Sequence, residues 1–294
     1  MNFLNHQKGL AAALFCFIFW GIAPIYFKLL QTVPALVIIA HRVIWGALFL
    51  LLFLVLRERK LLFSALVVTK KQLFILLVSG LLVASNWLMF VWAVTHNQIL
   101  ATSLGYFINP LVNILLGVIF FHEKLNKIQI TAVSIAASTT LFLGLYLGQP
   151  PLISLFLAFS FGFYGLVRKM LDVRPLIGLF WETLLLVIPA IIYLVMYAPQ
   201  LPQVTNDISL YTLLFFSGLV TVLPLIGFNY AAKKLSLILI GFLQYIAPTI
   251  SFIIAVMYYG EEFTLGHKVA FSGIWLALLI VSWQPFSKLF RSKL

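Results

Sequence analysis

Charge is scarce in this sequence. Only 9% of its 294 residues are Asp, Glu, Lys or Arg, against about a quarter in an ordinary soluble domain. Cysteine is reduced to Cys16, which excludes an internal disulfide and every multi-cysteine metal site. No GxxxxGK[ST] stretch is present, so ATP is not expected to drive this protein directly. No GxSxG stretch is present either. "HEKLN" (His122–Asn126) begins like a zinc-protease helix but lacks the second histidine. These absences lead to no expected enzyme activity, cofactor or metal. Any work the protein does must draw on a gradient, either of a solute or of a coupled proton or sodium ion.

What is there is apolar. Hydrophobic residues make up 63% of the chain and the mean hydropathy is +1.12. No soluble core can absorb that much apolar surface, so most of it must face lipid or other helices in lipid. Stretches long enough to cross a bilayer recur at about 9–30, 34–56, 72–95, 99–121, 127–147, 151–169, 175–197, 209–232, 236–259 and 266–286. They are too long and too uniformly apolar for barrel strands, which alternate. The expected fold is therefore an all-α integral membrane protein of ten transmembrane helices, one transmembrane domain over 1–294. The first stretch follows Lys8 without a small-residue cleavage site, so it reads as a retained helix rather than a signal peptide.

The net charge of +12 would suggest nucleic acid in a soluble protein. Here the cations sit between apolar segments. With both termini cytoplasmic, sixteen of the nineteen Lys and Arg fall on inside segments, including Arg57, Arg59, Lys60, Lys70 and Lys71. The outside loops "THNQ" and "LGQPP" carry none. The charge therefore reads as a topology signal, with N- and C-termini inside and no nucleic-acid partner.

The chain also repeats itself. "ATSLGYFINPLVNILLGVIFFHEKL" (Ala101–Leu125) and "ILIGFLQYIAPTISFIIAVMYYGEEF" (Ile238–Phe263) each carry a proline with a glutamate 13 residues later. Pro110 and Glu123 are offset from Pro248 and Glu261 by the same 138 positions. "WGIAPIYFKLL" (Trp20–Leu30) lies against "FGFYGLVRKML" (Phe161–Leu171) at an offset of 141. Repeat one then covers about 9–147 and repeat two about 151–287. Five helices per repeat is odd, so the second enters the membrane inverted relative to the first. Two such halves can interconvert between packings open to either side.

With these residues in hand, the chain resembles the ten-helix drug/metabolite transporter superfamily with its two EamA-type repeats, and most closely its RarD-type members. "FWGIAPIYFKLL", "AHRVIWGALF", "NWLMFVWAV", "SLGYFINPLVNILLGVIFFHEKL", "FSFGFYGLVRKM" and "GFLQYIAPTISFIIAVMYYGEE" carry the resemblance. The helix-end Gly-Glu of that family stands intact at Gly260-Glu261, and reads His122-Glu123 in repeat one. The resemblance implies gradient-driven secondary transport, in the bacterial inner membrane, of small organic solutes such as chloramphenicol or amino-acid-like molecules. A non-transporting scaffold or lipid-handling protein, and a channel, are the alternatives.

Charges at membrane depth are costly and mark candidate sites. Arg42 lies eight residues past Pro34, about 12 Å into a hydrocarbon core of about 30 Å. Glu182 lies seven residues past Pro175, at similar depth from the opposite face. They stand 140 apart, at repeat-related places with opposite sign. Either they pair with each other or with backbone carbonyls, or they line a central cavity, Arg42 for an anionic group and Glu182 for a cationic group or a proton. A zwitterionic substrate would satisfy both. Lys28 is a further coupling candidate, or snorkels from a helix end. His41 is a proton relay or a packed polar residue.

Tyr106, Asn109, Asn113 and Gly117 share one helix face, and Gln244, Ser251 and Ala255 mirror them. Such a stripe suits a binding surface or interhelical hydrogen bonds. Asn86 is a cavity candidate because a buried amide demands a partner. Trp20, Trp45, Trp87, Trp92, Tyr106, Tyr164 and Tyr245 offer rings to an aromatic solute, or serve as anchors and packing. Pro24, Pro110, Pro224 and Pro248 are expected kink sites. Gly144 and Gly148 form a GxxxG, compatible with close helix contact within the bundle or with a homodimer.

Overall fold

The computed structural model describes residues 3–60, 67–122, 125–148, 150–197, 208–232, 234–235 and 243–291. Among them the chain is helical throughout. In chain order the helices are α1 (Phe3–Lys28), α2 (Ala35–Arg57), α3 (Lys70–Thr95), α4 (Ile99–Phe121), α5 (Lys127–Tyr146), α6 (Leu152–Met170), α7 (Pro175–Tyr197), α8 (Ile208–Ala232), α9 (Ile246–Ile253) and α10 (Leu265–Arg291). Seven of these are long and apolar enough to cross a membrane, or eight when the bent α4 counts as one span. Only the later part of the ninth expected span falls on described residues; its start lies outside them, as does Glu123.

Local sequence sets the helix ends. Thr69 and Gln72 form a reciprocal capping box at the start of α3: Gln72 N–H donates to Thr69 Oγ1 at 3.3 Å and Thr69 N–H to Gln72 Oε1 at 2.9 Å. Asn126 and Gln129 repeat that arrangement at α5. Each box satisfies two backbone donors that a helix start would otherwise leave open. At the other end, α4 stops on His122 in the left-handed conformation, φ 53°. After α9 the chain passes through a π-helical turn, Ile254–Tyr258, and reverses on Gly260, φ 65°. Both turns use the same backbone conformation at positions 138 apart.

α4 bends by 41° between Ile99–Asn109 and Leu111–Phe120, at Pro110, where the ring removes a helical hydrogen bond. Pro24 and Pro224 lie inside the continuous helices α1 and α8, and Pro248 within α9. The GxxxG expectation needs correction. α5 ends at Tyr146, and Gly148 stands past that end with φ 68°. Gly144 and Gly148 therefore do not share a helical face.

Packing follows a regular scheme. α2 lies against α7 and α8, α3 against α6 and α7, α1 against α8 and α9, and α4 against α6 and α9, while α5 pairs with α10. The main apolar core centres on α1, α2, α3 and α4, with Phe27, Ile38, Val91 and Phe107 among its fully buried members, and takes in Ala136 of α5, Leu157 of α6 and Phe271 of α10. Small residues permit the closest approaches: a side chain on Gly21 would meet Ile250, and one on Gly105 would meet the Ser154 backbone.

Candidate functional site

The buried charges occupy two stations joined by a band of rings. At the first, α2 carries Arg42, 7% exposed. Its Nε donates to Thr221 Oγ1 of α8 at 2.5 Å. The guanidinium lies 4.3 Å from the Trp87 ring centre and 5.3 Å from that of Phe27, within cation–π range. Nη1 is buried with no hydrogen-bond partner among the described residues.

At the second station, α7 carries Glu182, 1% exposed. It does not pair with Arg42. Arg168 Nε of α6 lies 3.6 Å from its Oε1. Ser79 of α3 donates to Oε1, and the Tyr164 hydroxyl donates to Oε2 at 3.3 Å. Gly178 makes room for this pair, since any side chain there would collide with the Arg168 guanidinium.

Between the stations runs a sequence of ring contacts. Phe27 meets Phe90 at 5.9 Å, Phe90 meets Tyr106 at 6.0 Å, Tyr106 meets Phe161 at 6.3 Å, and Phe161 meets Tyr164 at 5.7 Å. The band crosses α1, α3, α4 and α6 and ends on the residue that touches Glu182.

The polar stripe of α4 is turned to α6. Asn86 Nδ2 donates to Leu157 O at 3.0 Å and to Ser160 Oγ at 2.9 Å, while its Oδ1 accepts from the Tyr106 hydroxyl at 3.1 Å. Asn109 Nδ2 donates to Ala158 O at 3.1 Å, and its Oδ1 accepts from Asn113 Nδ2 at 3.1 Å. Asn86 and Asn109 hold α3, α4 and α6 together with both ends of their amides occupied. The α9 side has Ser251 donating to Gly21 O at 3.0 Å, and Tyr245 stacked on Phe107 at 6.3 Å. Gln244 is half-buried just before α9. His41 is packed: Trp45 Nε1 donates to its Nδ1 at 3.2 Å, and its ring meets Tyr211 edge-on at 5.5 Å.

A third cluster sits where α1, α3 and α9 end. Lys28 is 9% exposed, so it is buried rather than snorkelling. Its Nζ donates to Asn97 Oδ1 and to Val94 O. Glu261, just after the π turn, takes the first two N–H groups of α4: Ile99 N at 2.7 Å and Leu100 N at 2.8 Å. A carboxylate fits there because those donors have no helical partner and the helix dipole favours negative charge. Burial nevertheless pushes the Glu261 carboxyl above its usual range, against the pull of the two N–H groups and Lys28.

Sequence reasoning missed several of these partners. Arg168, in the last turn of α6, is one of the sixteen inside cations by its place in the sequence. Its repeat position opposes Phe27, which faces Arg42, and that correspondence was the available signal. Thr221 and Ser79 carry no signal of their own as single hydroxyls in apolar runs. A separate cavity of about 600 Å³ between α4, α5 and α6 is lined by Leu111, Ala136, Phe159 and other apolar side chains, with Thr140 among them. It holds none of the charged residues.

The sequence model of the EamA-like transporter family matches residues 7–145 and 150–283. The chain is 45% identical over 282 residues to Protein RarD of Salmonella typhimurium, covering 95% of this chain and 96% of that one. It is 44% identical over 278 residues to an uncharacterised transporter of Vibrio cholerae, covering 94% and 92%. A solved crystal structure with 15% identity superposes at a TM-score of 0.62, over 95% of this chain and 98% of the other, a likeness of fold.

Proposed function

We propose that this chain, which belongs to the EamA-like transporter family, is a gradient-driven secondary carrier of small organic solutes working by alternating access. It is a multi-pass membrane protein of transporter kin. The observation that carries the proposal is the paired placement of Arg42 and Glu182. Each is the eighth residue of the second helix of its half, and each is tied by a hydroxyl from the third helix of the other half. Arg42 meets Thr221 of α8, and Glu182 meets Ser79 of α3. Ser79 and Ser217 are 138 apart, and Thr221 donates to Ser217 O.

Three further features support ten spans built as two inverted repeats, about 9–147 and 151–287. The helix neighbours exchange consistently under the swap of α1–α5 with α6–α10. The left-handed turns at His122 and Gly260 correspond. The family's matched segments fall one on each half. A bundle so built offers two packings of similar energy, one open to each side. The lysine and arginine bias supports cytoplasmic termini in a bacterial inner membrane. Arg42, Glu182 and the ring band between them would line the transport path, with Lys28, His41 and Tyr164 as coupling or positioning groups. A proton or sodium ion is the proposed coupling ion. Chloramphenicol and amino-acid-like solutes remain substrate candidates.

The test compares spent medium and cell extract from cells carrying the protein, its Glu182→Gln variant, or neither. A small solute redistributed only by the intact protein is expected. If no solute differs while the protein is folded in the membrane, the carrier reading fails and a scaffold or lipid-handling role replaces it.

A further inference from the structure

Charge accounting at the two stations is unequal. Glu182 is balanced by Arg168 and closed off by two hydroxyl donors. Arg42 has a hydroxyl and two ring faces, but no carboxylate among the described residues. The imbalance is written into the repeat. At the 141 offset, Arg168 corresponds to Phe27. Where one half sets a guanidinium against the α7 acid, the other sets a ring face against the α2 base. The buried stations therefore sum to one positive charge.

A guanidinium in that setting is costly unless something neutralises it. Ring faces recover part of its lost hydration, and Thr221 takes one donor. Nη1 keeps an unspent N–H pair, although Arg42 is more than nine-tenths buried. Carboxylates are the usual partners for such donors, because a guanidinium offers parallel N–H groups that match two oxygens.

Resting on the carrier reading above, we propose that the transported solute is a net anion bearing a carboxylate, received by Arg42 Nη1. Its flat or apolar body lies along Trp87 and Phe27. The zwitterion expectation changes accordingly: a substrate ammonium at Glu182 would have to compete with Arg168, whereas a carboxylate at Arg42 displaces nothing charged. A neutral solute such as chloramphenicol would leave the Arg42 charge unmet.

The test uses the purified full chain in detergent, with tryptophan fluorescence as the readout, since the guanidinium lies 4.3 Å from the Trp87 ring centre. The probes are benzoate, phenylacetate and indole-3-acetate, each against its uncharged amide, with benzylamine as the cation. A carboxylate should bind saturably and at least about tenfold more tightly than its amide. Arg42→Gln should remove that preference, and Arg42→Lys should keep part of it. Equal affinity for acid and amide, an unchanged preference in Arg42→Gln, or no saturable carboxylate binding would each overturn the proposal. If Arg42→Gln does not fold, the acid-against-amide comparison on the intact protein decides alone. Failure here is distinct from failure of the carrier reading. A neutral or cationic solute moved in the spent-medium comparison leaves a carrier of another substrate class, whereas no moved solute removes the carrier itself.

Discussion

His122 holds a left-handed backbone that its repeat counterpart gives to Gly260. A side chain in that region costs on the order of 1 kcal/mol, because its Cβ crowds the neighbouring carbonyl. His122→Gly is therefore expected to stabilise the folded protein by about 1 kcal/mol, less what glycine adds to the entropy of the unfolded chain. Thermal unfolding in detergent would read this as a raised Tm. An unchanged or lowered Tm would mean that the imidazole makes contacts worth more than the strain. The sequence showed the departure from Gly-Glu at this position but not its outcome. Residue type alone does not reveal whether the chain changes its turn or keeps the turn and bears the strain; the chain keeps it.

At the scale of elements, Glu261 joins the link after α9 to the start of α4, and Lys28 joins the end of α1 to the α3–α4 link. Together they tie four helix ends on one side of the bundle. The Glu261 carboxyl titrates above its ordinary value of 4.5 because burial dominates. The tied state thus holds its proton more firmly than an opened one. It gains stability as pH falls through the raised value and loses it as pH rises from 4.5 toward that value. A cysteine at Gln98 should report this, since Cys16, the lone native thiol, is fully buried. Its labelling rate, taken as a ratio to the same cysteine in a Glu261→Gln background, should rise with pH across that window. A flat ratio would show that Glu261 does not govern the opening. Sequence reading found the Pro110–Glu123 and Pro248–Glu261 pairs by their spacing. It could not find that Glu261 caps another helix, because the acceptor is a pair of backbone N–H groups 161 and 162 residues away.

For the whole molecule, hydropathy was sufficient for helix order among the described residues, since in lipid the backbone must bond within its own segment. Helix bounds fell within a few residues of expectation at α2, α3 and α4. Site partners were less legible. Ser79, Thr221 and Arg168 become partners only once helices cross, and none stands out in its own segment. The proposed orientation, with both termini inside, makes a separate prediction. Alkaline phosphatase, active only outside the cytoplasm, should be active when fused after Gln98 or Gly148 and inactive after Lys60 or Arg174. The reverse pattern would invert the protein and exchange the faces on which the Glu261 and Lys28 ties sit.

The two cross-ties also differ in when they can form. A chain is made from its N-terminus, so Glu182 enters a membrane that already holds Ser79 and Arg168, and finds its partners at once. Arg42 precedes Thr221 by 179 residues. At about 5–20 residues per second that is a wait on the order of 10–40 s, spent with the guanidinium held only against the Phe27 and Trp87 rings of a half-built bundle. The early membrane-bound intermediate therefore carries a charge whose hydrogen-bond partner arrives only with the second half of the chain.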